Sequence, residues 1–208
     1  MKQIFTDIYR KNRWADPESS SGTGSNHKQT RVLVRALPRL LHQYKIRSIL
    51  DAPCGDFHWM KEVAPRVPHY IGGDIVPDLI QHNRKRFAAP NRTFRLLDIT
   101  RSRLPCVDLI FCRDCFVHFS FAHIQLALAN FKQSGSSYLL TTTFPRRKHH
   151  TDSTTGHNWR PINLLLPPFR FPTPLVVINE GCTEFHGKFA DKSLALWKLS
   201  DIRITPHR

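Results

Sequence analysis

SILDAPCGDFHW (48–59) sets how the rest of the chain is read. A short apolar run, SILDA (48–52), meets an acid, Asp51, and a turn follows at once in DAPCGDFHW (51–59), with Gly55 inside it. The same cadence returns in HYIGGDI (69–75), which holds Asp74, and in TFRLLDI (93–99), which holds Asp98. Each run is too short for a helix and long enough for a buried strand. Helical patterns lie between and after them, from Trp59 to about Ala64 and in PDLIQHNRKRF (77–87), where proline occupies the first helical position.

Downstream the alternation continues. VDLIFCR (107–113) reads as a fourth strand, SFAHIQLALANFKQ (120–133) as a helix opened by a serine cap, and SSYLLTTTF (136–144) as a fifth strand. Strands alternating with helices predict an α/β fold, Rossmann-like, with a mostly parallel sheet and helices on both faces. After Phe144 prolines punctuate the chain at 161, 167, 168, 172 and 174. LVVIN (175–179) and SLALWKL (193–199) then predict a C-terminal antiparallel hairpin that completes the sheet and buries both apolar runs.

Upstream, Ile4, Ile8 and Tyr9 mark a short helix, and DPESSSGTGSNHK (16–28) predicts a flexible loop. Val32, Leu33, Ala36, Leu37, Leu40, Leu41 and Tyr44 recur at amphipathic-helix spacing, with Pro38 expected to kink the helix. This divides the chain into an N-terminal arm or lid, 1–30, and one domain, 31–208.

Hydrophobic residues make up 40%, enough to build a core. No apolar run approaches the ~20 residues needed to span a bilayer, and the charged start, MKQIFTDIYRKNRW, lacks a signal-type apolar stretch. The expected location is the cytoplasm. Cys112 and Cys115 form a CxxC, but without a second ligand pair at suitable spacing they read as buried thiols, and no metal site is expected. The formal net charge of +15 suits an acidic partner: nucleic acid, a phosphorylated sugar or a membrane surface.

In an open parallel sheet, ligands bind outside the carboxyl ends of the strands. Asp51, Asp74 and Asp98 all fall at such ends, and Asp74 lies 23 residues past Asp51. An acid ~20 residues past the first strand-turn is placed to accept from both hydroxyls of a ribose. The turn lacks the GxGxxG spacing that a pyrophosphate needs, so a single adenosine with a small charged tail fits better than a dinucleotide.

LDAPCGDFHWM resembles the first motif of class I S-adenosylmethionine-dependent methyltransferases, and YIGGDIV their second, with Asp74 as the ribose acid. RLLDIT resembles the third motif, with Asp98 near the adenine, and DLIFCRDCFVHFS the fourth, where Arg113 and Asp114 would face the methionine part or the substrate. The N-terminal IYRKNRWADPESSSGTGS and the later NWRPINLLLPPFRFPTP look like a bacterial-type subgroup. The resemblance implies S-adenosyl-L-methionine as cofactor, with Asp51, Cys54, Gly55, Asp74, Ile75, Asp98, Ile99 and Arg113 as its binding residues. Pro53 and Phe57 stand where the family has glycine; proline stiffens the turn and Phe57 is expected to narrow it.

Methyl transfer to a hydroxyl calls for alignment and help in removing a proton. Asp114 and His118, after the fourth strand, are the candidate catalytic groups. Trp14, Glu18 and residues 21–25 are candidates for a lid, and His157, Trp159 and Arg160 for the acceptor site. The leading expectation is methyl transfer to an oxygen of a small-molecule or glycan acceptor, an anionic one being suggested by Arg146, Arg147 and Lys148 after the fifth strand. A nucleic-acid methyltransferase and an inactive binding module stand as alternatives. Oligomeric state is left open.

Overall fold

The computed structural model describes residues 1–14 and 16–204; Ala15 of the expected arm and residues 205–208 of the expected domain lie outside the described residues. Two compact units divide the chain, Met1–Asp98 and Ile99–Arg208.

The first unit opens with helix α1 (Lys2–Arg10) and helix α2 (His27–Gln43). Helix α2 begins earlier than its apolar pattern, because Asn26 caps it and accepts from the Gln29 amide at 3.0 Å. Its buried Leu33, Leu37, Leu40 and Leu41 are the predicted apolar stripe. Strands β1 (Ser48–Asp51), β2 (His69–Asp74) and β3 (Arg92–Leu96) are parallel, in the order β3-β2-β1, with Asp51 level with Gly72 and Asp74 level with Leu96. Helix α3 (Pro77–Phe87) crosses from β2 to β3 and buries Leu79, Ile80 and Asn83. The helix expected at 59–64 is instead a pair of 3-10 turns, Met60–Glu62 and Ala64–Arg66; Pro65 lacks the amide that would extend the first into the second.

In the second unit, strand β4 (Leu109–Cys112) runs parallel to strand β5 (Tyr138–Thr143). Helix α4 (Phe121–Gln133) links them, and the Ser120 side chain accepts from the His123 amide at 3.2 Å, the cap the sequence predicts. Strand β7 (Ser193–Lys198) is antiparallel to β5 and to strand β6 (Val176–Asn179), giving the order β4-β5-β7-β6. The hairpin is as predicted, but its burial is not. Strand β7 is buried, whereas β6 alternates and leaves Val177 48% exposed, because β6 is the last strand in the order and is paired on one side. The Trp197 indole donates to the Pro172 carbonyl at 2.7 Å, tying the proline-rich segment to β7. The seven strands make a mostly parallel, Rossmann-like α/β fold with an antiparallel C-terminal hairpin.

No helix among the described residues is long and apolar enough to cross a membrane.

Candidate active site

The turn after β1 is built on backbone conformations that side chains resist. Gly55 has φ 53°, a left-handed value that costs an L-residue about 1–2 kcal/mol. A Cβ there would also stand 2.3 Å from Ser21 Oγ. Gly72 and Gly73 of β2 serve a different need, close approach: a Cβ on either would come within 2.6 Å of Phe94 or Leu97.

Asp74 closes this turn. It is 6% exposed, and its two oxygens accept from the Gly55 amide and the Val76 amide, each at 3.0 Å. Burial pushes its pKa up to about 6, although the amides of Val76, Gly55 and Ile75 pull the other way. Asp51 is buried and accepts from the Tyr70 hydroxyl of the neighbouring strand, so it braces β1 against β2. The Cys54 thiol is buried and its pKa is raised well above the ordinary value, first by desolvation and then by Asp74 and Asp51. This makes Cys54 a packing group and not a nucleophile. Ile75 is half-buried, Asp98 is half-buried two residues past β3, and Ile99 is buried in its own unit.

Phe57 corrects the sequence reading. It takes the left-handed backbone a glycine would take, φ 59°, but its ring does not narrow the turn. The ring is fully buried against Phe87, Phe94 and Tyr70, with centroids at 5.2, 5.2 and 5.4 Å.

Two supporting residues escaped the sequence reading. Asn83, from α3, donates to the Gly55 carbonyl at 2.8 Å and holds the turn from behind. Asp56 holds the arm: its carboxylate accepts from Ser19 Oγ at 3.0 Å, the Ser20 amide at 2.8 Å and Ser21 Oγ at 3.2 Å. The Asp56 amide in turn donates to Ser21 Oγ at 3.1 Å. The loop expected to be flexible is therefore seated on the turn.

In the second unit, β4 leads into a closed ionic network. The Arg113 guanidinium donates to Glu180 Oε2 at 2.6 Å and lies 3.3 Å from Asp114 Oδ2. Lys192 donates to Asp114 Oδ2 at 2.6 Å and stands 3.7 Å from Glu180. Arg113, Glu180 and Lys192 are all buried. Desolvation alone would raise the Asp114 pKa, but Arg113 and Lys192 outweigh it and hold the carboxyl below its ordinary value. Arg113, expected at the cofactor, has its guanidinium paired with Glu180 and Asp114. His118 ends the 3-10 turn Phe116–His118, and burial lowers its pKa to about 4, so the ring is neutral at pH 7.

The other expected acceptor groups separate. Arg160 is buried and donates to the carbonyls of Phe119 (2.6 Å) and Thr151 (2.8 Å), which makes it a brace for the loop. Trp159 is 36% exposed and packs on Phe144 and Phe189, and His157 is exposed. Arg147 is paired with Asp191 at 3.1 Å, while Arg146 and Lys148 are exposed. Cys112 and Cys115 are both buried free thiols.

Residues 49–134 match the family model described as a methyltransferase domain. No curated protein matches the chain. Among solved structures, the chain is similar to the N-methyltransferase NodS from Bradyrhizobium japonicum WM9 in complex with S-adenosyl-L-homocysteine, with TM-score 0.64 and 16% identity, covering 92% of this chain and 97% of that one. It is also similar to magnesium protoporphyrin IX methyltransferase from Synechocystis PCC 6803 with bound S-adenosylhomocysteine, with TM-score 0.51 and 15% identity, covering 71% of this chain and 74% of that one. At such identities the likeness is one of fold.

Proposed function

We propose that the chain, whose residues 49–134 match the methyltransferase-domain family model, is a class I S-adenosylmethionine-dependent methyltransferase that methylates a small-molecule or glycan acceptor, with Asp74 gripping the cofactor ribose. The observation that carries the Asp74 role is its setting: a buried carboxylate at the end of β2 whose hydrogen-bond partners are backbone amides, beside a left-handed glycine. A carboxylate has about four lone-pair sites. The Gly55 and Val76 amides use two and the Ile75 amide also acts on the carboxylate, which leaves capacity for a ribose hydroxyl. Asp98 and Ile75 are the further residues we assign to the adenosine; Gly55 gives the turn its close approach. Asp51, Cys54 and Arg113 serve the scaffold instead. The bound cofactor supplies the electrophilic methyl group.

The preference for an acceptor atom rests on the two candidate bases, Asp114 and His118. An oxygen acceptor, as expected from the sequence, needs a base whose pKa lies near the working pH. Asp114 is held low by two cations and His118 sits near 4, so neither is suited to that task. A neutral amine carries its lone pair already and needs only alignment. We therefore favour nitrogen, in keeping with the name of the NodS neighbour, over oxygen.

Calorimetry with S-adenosylhomocysteine tests the cofactor role. Asp74→Ala is expected to weaken binding about 10- to 100-fold, from the ~1.5–3 kcal/mol of a charge-assisted hydrogen-bond set. Unchanged affinity removes the ribose role. In the pH dependence, affinity is flat above pH 7 and falls about tenfold per unit once pH drops below about 6, because protonation of Asp74 competes with the ribose. Stability responds with the opposite sign. A folded pKa raised from 3.8 to about 6 favours the folded free protein below 3.8, and that gain is lost as pH rises through 6. For the acceptor, methyl transfer to amino sugars, neutral sugars, sugar phosphates and RNA is compared. Turnover confined to hydroxyl acceptors overturns the nitrogen reading, and steep salt loss with RNA alone replaces the small-molecule one.

A further inference from the structure

We propose that Glu18, His27 and His58 form a divalent-cation site, suited to zinc, that pins the N-terminal arm to the turn after β1. One ligand atom from each of the three residues lies within 4.8 Å of the other two. His58 Nε2 and Glu18 Oε2 are 3.5 Å apart. That is poor for a hydrogen bond, but two donors on one tetrahedral ion with bonds of about 2.1 Å are separated by about 3.4 Å. The His27 and His58 rings converge, with centroids 4.4 Å apart.

A second, independent observation points the same way. His58 Nε2 is closed off from solvent and has no hydrogen-bond partner. Buried polar atoms are ordinarily satisfied, and an imidazole nitrogen aimed at a carboxylate and a second imidazole is satisfied by a cation held among them. Two protonated rings at this spacing would repel each other. Two neutral rings sharing one dication do not.

The surroundings are those of a supported site. Glu62 Oε1 lies 3.2 Å from His27 Nδ1, the place of a carboxylate that fixes a ligating ring from outside. Glu18 Oε2 accepts from the His27 amide at 2.9 Å, which joins the arm to the start of α2. Two imidazoles and a carboxylate suit zinc and disfavour magnesium or calcium, which take oxygen ligands. The ligands come from the arm (Glu18), the first turn of α2 (His27) and the turn beside Asp56 (His58), so an ion adds a second tie to the Asp56–serine contacts. The inference does not depend on the transferase reading.

The test uses the full chain, stripped by a chelator and carrying Cys106→Ser to remove the exposed thiol. Calorimetry with zinc chloride is expected to give one ion per chain at micromolar affinity or better, and cobalt(II) to give the visible absorption of a tetrahedral site. His58→Ala and His27→Ala are each expected to abolish both signals, and Glu62→Gln to weaken zinc binding about 10- to 100-fold. Glu18→Gln, at an exposed position and keeping an oxygen that can accept from the His27 amide, serves as the second ligand variant and is expected to weaken binding at least as much as Glu62→Gln. Zinc is also expected to slow amide hydrogen exchange across 16–27 in the parent and not in His58→Ala. Absence of zinc binding by the parent overturns the proposal, as does zinc binding that survives unchanged in His58→Ala and Glu18→Gln.

Discussion

Arg113→Ala is expected to destabilise the protein by about 3–5 kcal/mol, the cost of stranding a buried charge. The guanidinium is the short-range partner of Glu180, at 2.6 Å, and a second partner of Asp114. Without it two carboxylates remain against Lys192 alone, which sits 2.6 Å from Asp114 but 3.7 Å from Glu180. Urea denaturation of the two proteins measures the difference. Replacing both partners, as Arg113→Met with Glu180→Leu, is expected to recover most of the loss, because paired buried ions cost much of what they contribute. A loss under ~1 kcal/mol in the single variant, the range of an exposed pair, would mean that Arg113 is available to a ligand after all.

Phe57→Ala is expected to cost a similar ~3–5 kcal/mol, as for other large-to-small changes in a packed core. Its ring is the hub of an aromatic cluster with Phe87, Phe94 and Tyr70, and the Arg92 guanidinium lies 5.1 Å from its centroid. Alanine keeps the left-handed strain and loses the ring. Phe57→Gly loses the ring but relieves the strain, so it is expected to be about 1–2 kcal/mol more stable than Phe57→Ala. Thermal or urea midpoints of the two variants check the order. The reverse order would show that the backbone relaxes once the ring is gone.

The parts of the fold that were legible depend on neighbours in sequence. Strand ends at Asp51 and Asp74, the proline at the start of α3 and the Ser120 cap are all local signals, and each lands where the pattern placed it. What was not legible depends on partners far along the chain. Nothing in SSSG announces that Asp56, 35 to 37 residues later, receives its three serine hydroxyls and the Ser20 amide. Arg113 reads as a ligand-facing cation until Glu180, 67 residues on, is brought to it. Phe57 was read as an obstruction because its position in the motif is visible in sequence, while the ring's route into the core is set by Tyr70, Phe87 and Phe94. Strand β6 reads as apolar throughout, and only its place at the end of the strand order leaves Val177 in solvent.

The strand order β4-β5-β7-β6 also fixes a sequence of events at the ribosome. Strand β5 pairs along its whole length with β7, from Tyr138 opposite Lys198 to Thr143 opposite Ser193. Forty-nine residues lie between the end of β5 at Thr143 and the start of β7 at Ser193. At about 5–20 residues per second, the nascent chain carries that unpaired edge for roughly 3–10 s. The edge is apolar and β-branched, LLTTT (139–143), with no proline or charge to blunt it, which is the kind of strand that recruits other chains. Products that stall before β7 is complete at Lys198 keep the edge open and are expected to aggregate or engage chaperones.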